Sequence, residues 1–127
     1  MAEKISVISV IRVRDVLLVT MPVDPDEPTV AALQEKVLSA MEHHEAQAVV
    51  LDISTLGTLD EFLARTVSEM ARMVSLIDGR LIVAGMQPSV AATATENGLM
   101  LGKIETALSV DRALDLAATD ASVKHGQ

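Results

Sequence analysis

The sequence contains no cysteine, tryptophan or tyrosine, and Phe62 is its only aromatic residue. Without cysteine there is no disulfide, no zinc–thiolate site and no thiol nucleophile. Without aromatic faces there is no platform on which bases or sugars could stack. Basic residues are scarce too: ten Lys and Arg stand against eighteen Asp and Glu, for a formal charge of −8. No basic run is long enough to follow a phosphate backbone, so nucleic acid is not an expected partner. Long hydrophobic runs are also missing. Glu3, Lys4, Arg12, Arg14 and Asp15 interrupt the N-terminal segment, which reads neither as a signal peptide nor as a membrane span. The expectation is a soluble cytoplasmic protein with no membrane partner.

What is present is enough for one core. Half of the 127 residues are apolar, and the interior must be built from Val, Leu, Ile, Ala and seven Met. That length suits a single domain. Residues 5 to 13 alternate between apolar and polar, and "VLLVTM" from Val16 is more uniformly apolar, so the chain is expected to open with two strands turning near Arg14 and Asp15. "PVDPDEP" holds three of the four prolines and must be a loop.

Two amphipathic helices are then predicted. In the first, Val30, Leu33, Val37, Ala40 and Met41 share a face, and Asp26, Glu27 and Pro28 suit its first turn. In the second, Leu63, Val67, Met70, Val74 and Ile77 recur at helical spacing before the stop signal Asp78-Gly79. Between them "AVVLDIS" reads as a central strand covered on both faces, and "RLIVAGM" as another. Pro88 opens a short helix ending at Asn97-Gly98, "KIETALS" supplies a short edge strand, and a final helix is capped near Ser109 or Asp111. The alternation predicts a single α/β domain over residues 1–120, a mixed sheet of four to five strands with about four helices, followed by a flexible tail over 121–127.

The search for chemistry returns little. No GxGxxG, GxxxxGK[ST] or GxSxG is present, so neither a phosphate cradle nor a nucleophile elbow is indicated. His43 and His44 are adjacent on a helix and cannot chelate one metal together, and His125 lies near the C-terminus. The acidic loop of Asp24, Asp26 and Glu27 lacks the spacing of a calcium loop. No metal and no cofactor are expected. Asp52, at the carboxyl end of the central strand, is where α/β folds place chemistry, and a receiver-like phosphotransfer domain would use it. The acidic pair such a domain needs after its first strand is absent. Ser54, Thr55, Thr58 and Ser89 are hydroxyls near the same loop, but Ser and Thr are also ordinary loop and cap residues.

The stretch "VVLDISTLGTLDEF", an apolar strand ending in Asp, a short loop and an acid at a helix start, resembles the STAS domain, the fold of anti-sigma-factor antagonists. "GMQPSVAATATENGL" and the layout over most of the chain resemble, within that family, the minimal stressosome scaffold proteins of the RsbS type. The resemblance implies a non-enzymatic scaffold of a bacterial stress-signalling complex. Its implied partners are related STAS proteins with sensory domains, further copies of itself, a switch serine/threonine kinase and a phosphatase acting on the phosphorylated form. It implies that the kinase phosphorylates the serine following an Asp at the helix start and docks around Thr58, Asp60, Glu61 and Phe62. Here that Asp is Asp60, and the acceptor position is held by Glu61, which has no hydroxyl and imitates a phosphoserine only in part. Whether Glu61 is an engineered mimic, the favoured origin, or a switch fixed in a natural relative stays open, as does a third reading, a small-ligand-binding module of the same fold. Asp60 and Glu61 are in any case good company for the positive end of a helix.

Overall fold

The chain opens with a hairpin, as alternation and the Arg14-Asp15 pair imply. Strands β1 (Ser9–Val13) and β2 (Val16–Thr20) pair antiparallel with Val13 opposite Val16, so Arg14 and Asp15 form a two-residue turn. Arg14 takes a φ of 58°, the left-handed value that the first turn position of a tight hairpin demands. Arg12 Nε donates to the Arg14 carbonyl at 2.8 Å and steadies the turn. The structure, a computed structural model, describes residues 8–22, 25–44, 46–99 and 104–125, with side chains for all of these except residues 44 and 119–125.

Strands and helices then alternate: α1 (Glu27–His44), β3 (Ala48–Asp52), α2 (Glu61–Leu76), β4 (Arg80–Ala84), α3 (Pro88–Glu96), β5 (Glu105–Ala107) and α4 (Val110–His125). The sheet order follows the chain, β1-β2-β3-β4-β5, and β2 to β5 run parallel. Each crossover therefore steps one place in the same direction, and right-handed connections put all the crossover helices on one face. α4 follows the last strand and is left for the other face. It extends to His125, beyond the helix end near residue 120 that the sequence implied.

Period-two alternation sorts the strand residues between these faces. Leu17, Val19, Val49, Leu51, Leu81 and Val83 point toward α1, α2 and α3 and meet Leu33, Val37, Val67, Val74 and Val90. Ala48, Val50, Ile82 and Ala84 point the other way and meet Ala113 and Ala117 of α4. Alanines on both sides of this second layer let α4 lie close to the strands. Arg80 fastens the same helix: its Nε donates to Glu105 Oε2 at 2.9 Å, its Nη1 donates to the Ala117 carbonyl at 3.2 Å, and it forms an ion pair with Glu105. One half-buried guanidinium thus ties together β4, β5 and α4.

Two details of α2 depart from the expected pattern. Leu63, Val67, Met70 and Val74 are buried as their spacing predicts, but Ile77 is 42% exposed because it lies past the last turn as the C-cap. At the stop signal the left-handed residue is Asp78, with φ 63°, and not Gly79. Asp tolerates that conformation through its short polar side chain. Gly79 is needed for space instead: a Cβ there would come within 2.5 Å of the Met41 methyl and 2.8 Å of Val74 Cγ1. Met70 and Met86 are core residues, at 2% and 6% exposure, which is the expected use of an adaptable side chain.

Leu51, fully buried under the crossover helices, and Ile11, 52% exposed on β1, make an internal contrast. Leu51→Ala should cost about 2–5 kcal/mol in urea unfolding, whereas Ile11→Ala should stay within about 0.5 kcal/mol. Equal costs would contradict the layer assignment.

Candidate functional site

Beyond Asp52 the chain must leave a buried sheet and begin a surface helix, and residues 53 to 60 make that exit. Asp52 starts it by turning its carboxylate onto the loop, where Oδ1 accepts the Ser54 N–H at 3.0 Å. Ile53 N–H donates to the Ala84 carbonyl at 2.9 Å, and Thr55 Oγ1 donates to the Met21 carbonyl at 3.2 Å, so the loop is moored to β4 and to the end of β2. Gly85 makes this approach possible. It has a φ of 82°, and a Cβ on it would sit 2.9 Å from the Ser54 backbone nitrogen.

The loop ends at Leu59, whose side chain is fully buried. Its N–H donates to Thr93 Oγ1 of α3 at 3.1 Å, and its carbonyl accepts from Nδ2 of Asn97, the C-cap of that helix, at 3.0 Å. Asp60 follows as the N-cap of α2, with Oδ1 accepting the Leu63 N–H at 2.9 Å. Glu61 is then the first helical residue. Its side chain is 78% exposed and forms only a loose 3.5 Å pair with Arg65 one turn on.

The four residues expected to form the site therefore lie along one edge of the domain. Thr58, Asp60 and Glu61 are exposed, and Phe62 is half-buried. Phe62 packs on the core and lines a small groove of about 150 Å³ between α1 and α2 with Val30, Gln34, Arg65 and Glu69. The arrangement is an exposed acidic edge with one apolar foothold. It offers carboxylates and a helix start to a partner, and no nucleophile paired with a base.

The same dipeptide occurs at the start of α1. Asp26 Oδ1 accepts the Thr29 N–H at 3.0 Å, and Glu27 is the first helical residue. Asp-Glu at a helix start is therefore used twice for capping, and the pair alone marks no function. Its surroundings separate the two copies. The second follows a loop that is moored to three other elements.

The remaining candidates have other roles or lie elsewhere. Asp52 holds its own loop, and among the described residues it is not part of a carboxylate cluster. Among the described residues no group of three or more His, Asp and Glu side chains could hold a metal ion. His43 Nδ1 donates to the Ser39 carbonyl at 2.7 Å, an ordinary helix-end contact. The side chains of His44 and His125, and all of Asp24, lie outside the described residues. Ser89 follows Pro88 in the first turn of α3 and is exposed. An open groove of about 1080 Å³ lies at the opposite end of the strands, lined by residues such as Val13, Asp15, Gly79, Arg80 and Leu114, and it touches none of the four expected site residues. Among the described residues no helix is long and apolar enough to cross a membrane.

Residue reasoning missed Gly85, Thr93 and Asn97. All three lie in "GMQPSVAATATENGL", the segment that carried half of the family resemblance, and that signal could have pointed to them. The segment is the buttress of the loop before Glu61.

A mixed five-stranded sheet with an N-terminal hairpin, and a moored loop opening the second helix at its exposed edge, define a STAS domain. The family model for that domain matches residues 7–113, and the chain belongs to this family. Among solved structures it is similar to Moorella thermoacetica RsbS carrying a serine-to-glutamate substitution, with 30% identity and a TM-score of 0.83 over 91% of this chain and 98% of that one. It is also similar to a chain from a structure described as the molecular architecture of the stressosome, a signal integration and transduction hub, at 30% identity and a TM-score of 0.75, covering 89% and 98%. A curated relative is the RsbT co-antagonist protein RsbRA of Bacillus subtilis (strain 168), 24% identical over 85 residues. That match takes up 67% of this chain but only 31% of RsbRA's length.

The geometry sets an order of costs. Asp60→Ala and Asp26→Ala should each lower stability by about 1 kcal/mol through loss of a cap. Glu61→Gln should cost no more than about 0.3–1 kcal/mol, because the side chain makes no buried contact. Urea denaturation of the three variants checks this, and a larger cost for Glu61→Gln than for Asp60→Ala would contradict the assignment of roles.

Proposed function

We propose that this chain is a non-enzymatic STAS scaffold of a stress-signalling assembly, working in the cytoplasm and acting by binding partners. The edge formed by Thr58, Asp60, Glu61 and Phe62 docks a switch serine/threonine kinase, and the charge at position 61 tunes that docking. The observation that carries this is the exposed Glu61 at the first helical position, where the family resemblance puts the phosphorylated serine. The likeness to an RsbS solved with glutamate in place of a serine supports it. So does the likeness to a stressosome chain, which favours co-assembly with copies of itself and with sensory STAS relatives. A phosphatase would act on a serine-bearing counterpart.

The electrostatic argument fixes the direction. A carboxylate supplies about one negative charge where a phosphate carries roughly 1.5 to 2, with two acceptor oxygens in place of three. Added charge at an interface repels an acidic partner surface or must be desolvated on docking. This chain then stands close to the phosphorylated state and binds the kinase weakly.

Glu61→Ser is the test. In a pull-down with the switch kinase, Glu61→Ser should retain more kinase than the unaltered chain and should accept phosphate on the new hydroxyl. Unchanged retention with no phosphate transfer would overturn the reading. Size-exclusion chromatography with a sensory STAS relative should give a large co-eluting particle.

A further inference from the structure

The place of Glu61 is set by the residues just before it, and those are gripped by a helix more than thirty positions away in sequence. Both backbone polar groups of Leu59 are taken up by side chains of α3 and its C-cap. Thr93 Oγ1 donates its own hydrogen to the Val90 carbonyl at 2.8 Å, which leaves its lone pairs to accept the Leu59 N–H at 3.1 Å. The Asn97 amide nitrogen donates to the Leu59 carbonyl at 3.0 Å and to the Thr93 carbonyl at 2.9 Å. Two carbonyl oxygens at that nitrogen fix which way the amide faces. Thr93 lies in α3 and Asn97, four residues on, is its C-cap, and the two side chains close like a bracket on one residue.

We infer that Thr93 and Asn97 are positioning residues for the docking edge: by holding Leu59 they fix the loop end and the start of α2, and with it the direction in which Glu61 is presented. The inference rests on the docking reading above. The next residue, Asp60, caps α2, and its carbonyl accepts the Ala64 N–H at 2.8 Å, so a shift of Leu59 passes into the first turn within two residues. Among the described residues no backbone group stands in for the bracket at Leu59. Removing either side chain leaves a polar group of a buried residue unpaired, which the loop can relieve only by moving. The wider consequence is that a partner bound on α3 would be felt at position 61.

The experiment is amide hydrogen exchange by NMR on Thr93→Val, which keeps the shape and removes the hydroxyl, and on Thr93→Ser, which keeps the hydroxyl. It is paired with kinase affinity of the same two changes in the Glu61→Ser background. Thr93→Val should speed exchange at Leu59 and Leu63 roughly tenfold while Val50 in β3 is unaffected, and Thr93→Ser should stay within about twofold. Kinase affinity of Glu61→Ser should fall roughly tenfold with Thr93→Val and recover with Thr93→Ser. Unchanged exchange at Leu59, a uniform rise across the sheet, or an affinity indifferent to Thr93→Val would each overturn the inference. Failure of Glu61→Ser to bind the kinase at all would overturn the docking reading, and the exchange rates would still decide whether the bracket holds the loop.

Discussion

The peptide groups on either side of Leu59 are the point on which the site depends. The leucine side chain belongs to the core, yet its neighbour Asp60 must already be at the surface to cap α2. A residue in that position cannot pair its backbone within the sheet, which ended at Asp52, or within the helix, which starts at Glu61. A hydroxyl from α3 and the amide of its C-cap residue meet the need, and Gly85 lets the end of β4 run close against the same loop at Ser54. The two sequence segments that carried the family resemblance are thus in contact, each incomplete without the other.

On the proposed reading, this construction lets a binding edge carry a signal. The sheet is filled on both faces, so the edge at Thr58 to Phe62 is presented by a body with little freedom to rearrange. A change of charge at Glu61, which is exposed and makes only a loose pair with Arg65, alters the electrostatics of that edge while leaving the core untouched. Surface pairs of that kind contribute little to stability. On the proposed reading the consequence of the charge is felt by a partner, where charge complementarity governs encounter and selectivity. The repeated Asp-Glu start at Asp26 and Glu27 shows that the same chemistry also begins another helix.

Much of the fold was legible because periodicity is a one-dimensional signal. The apolar runs "VLLVTM" and "AVVLDIS" predict buried strands, though not which side each residue faces, and the spacing of Leu63, Val67, Met70 and Val74 predicts the buried stripe of α2. The signal fails where a contact is set by topology. Ile77 continues the spacing but falls beyond the last turn, and within the stop signal Asp78-Gly79 it is Asp78 that takes the left-handed region. Thr93 and Asn97 reach Leu59 across 34 and 38 positions, a distance at which composition and spacing say nothing. That Asp60 and Glu61 suit a helix start followed from residue chemistry, whereas the meaning given to Glu61 came from the family pattern around it.

The central claim is that charge at position 61, and not shape, sets how strongly the edge docks its kinase. Glu61→Gln separates the two, since it keeps the size of the side chain and removes only its charge. Titration calorimetry of the switch kinase onto the unaltered chain and onto Glu61→Gln measures the difference directly. The account predicts tighter binding by Glu61→Gln, with the gain shrinking as salt is added. Equal affinities at low salt would contradict it.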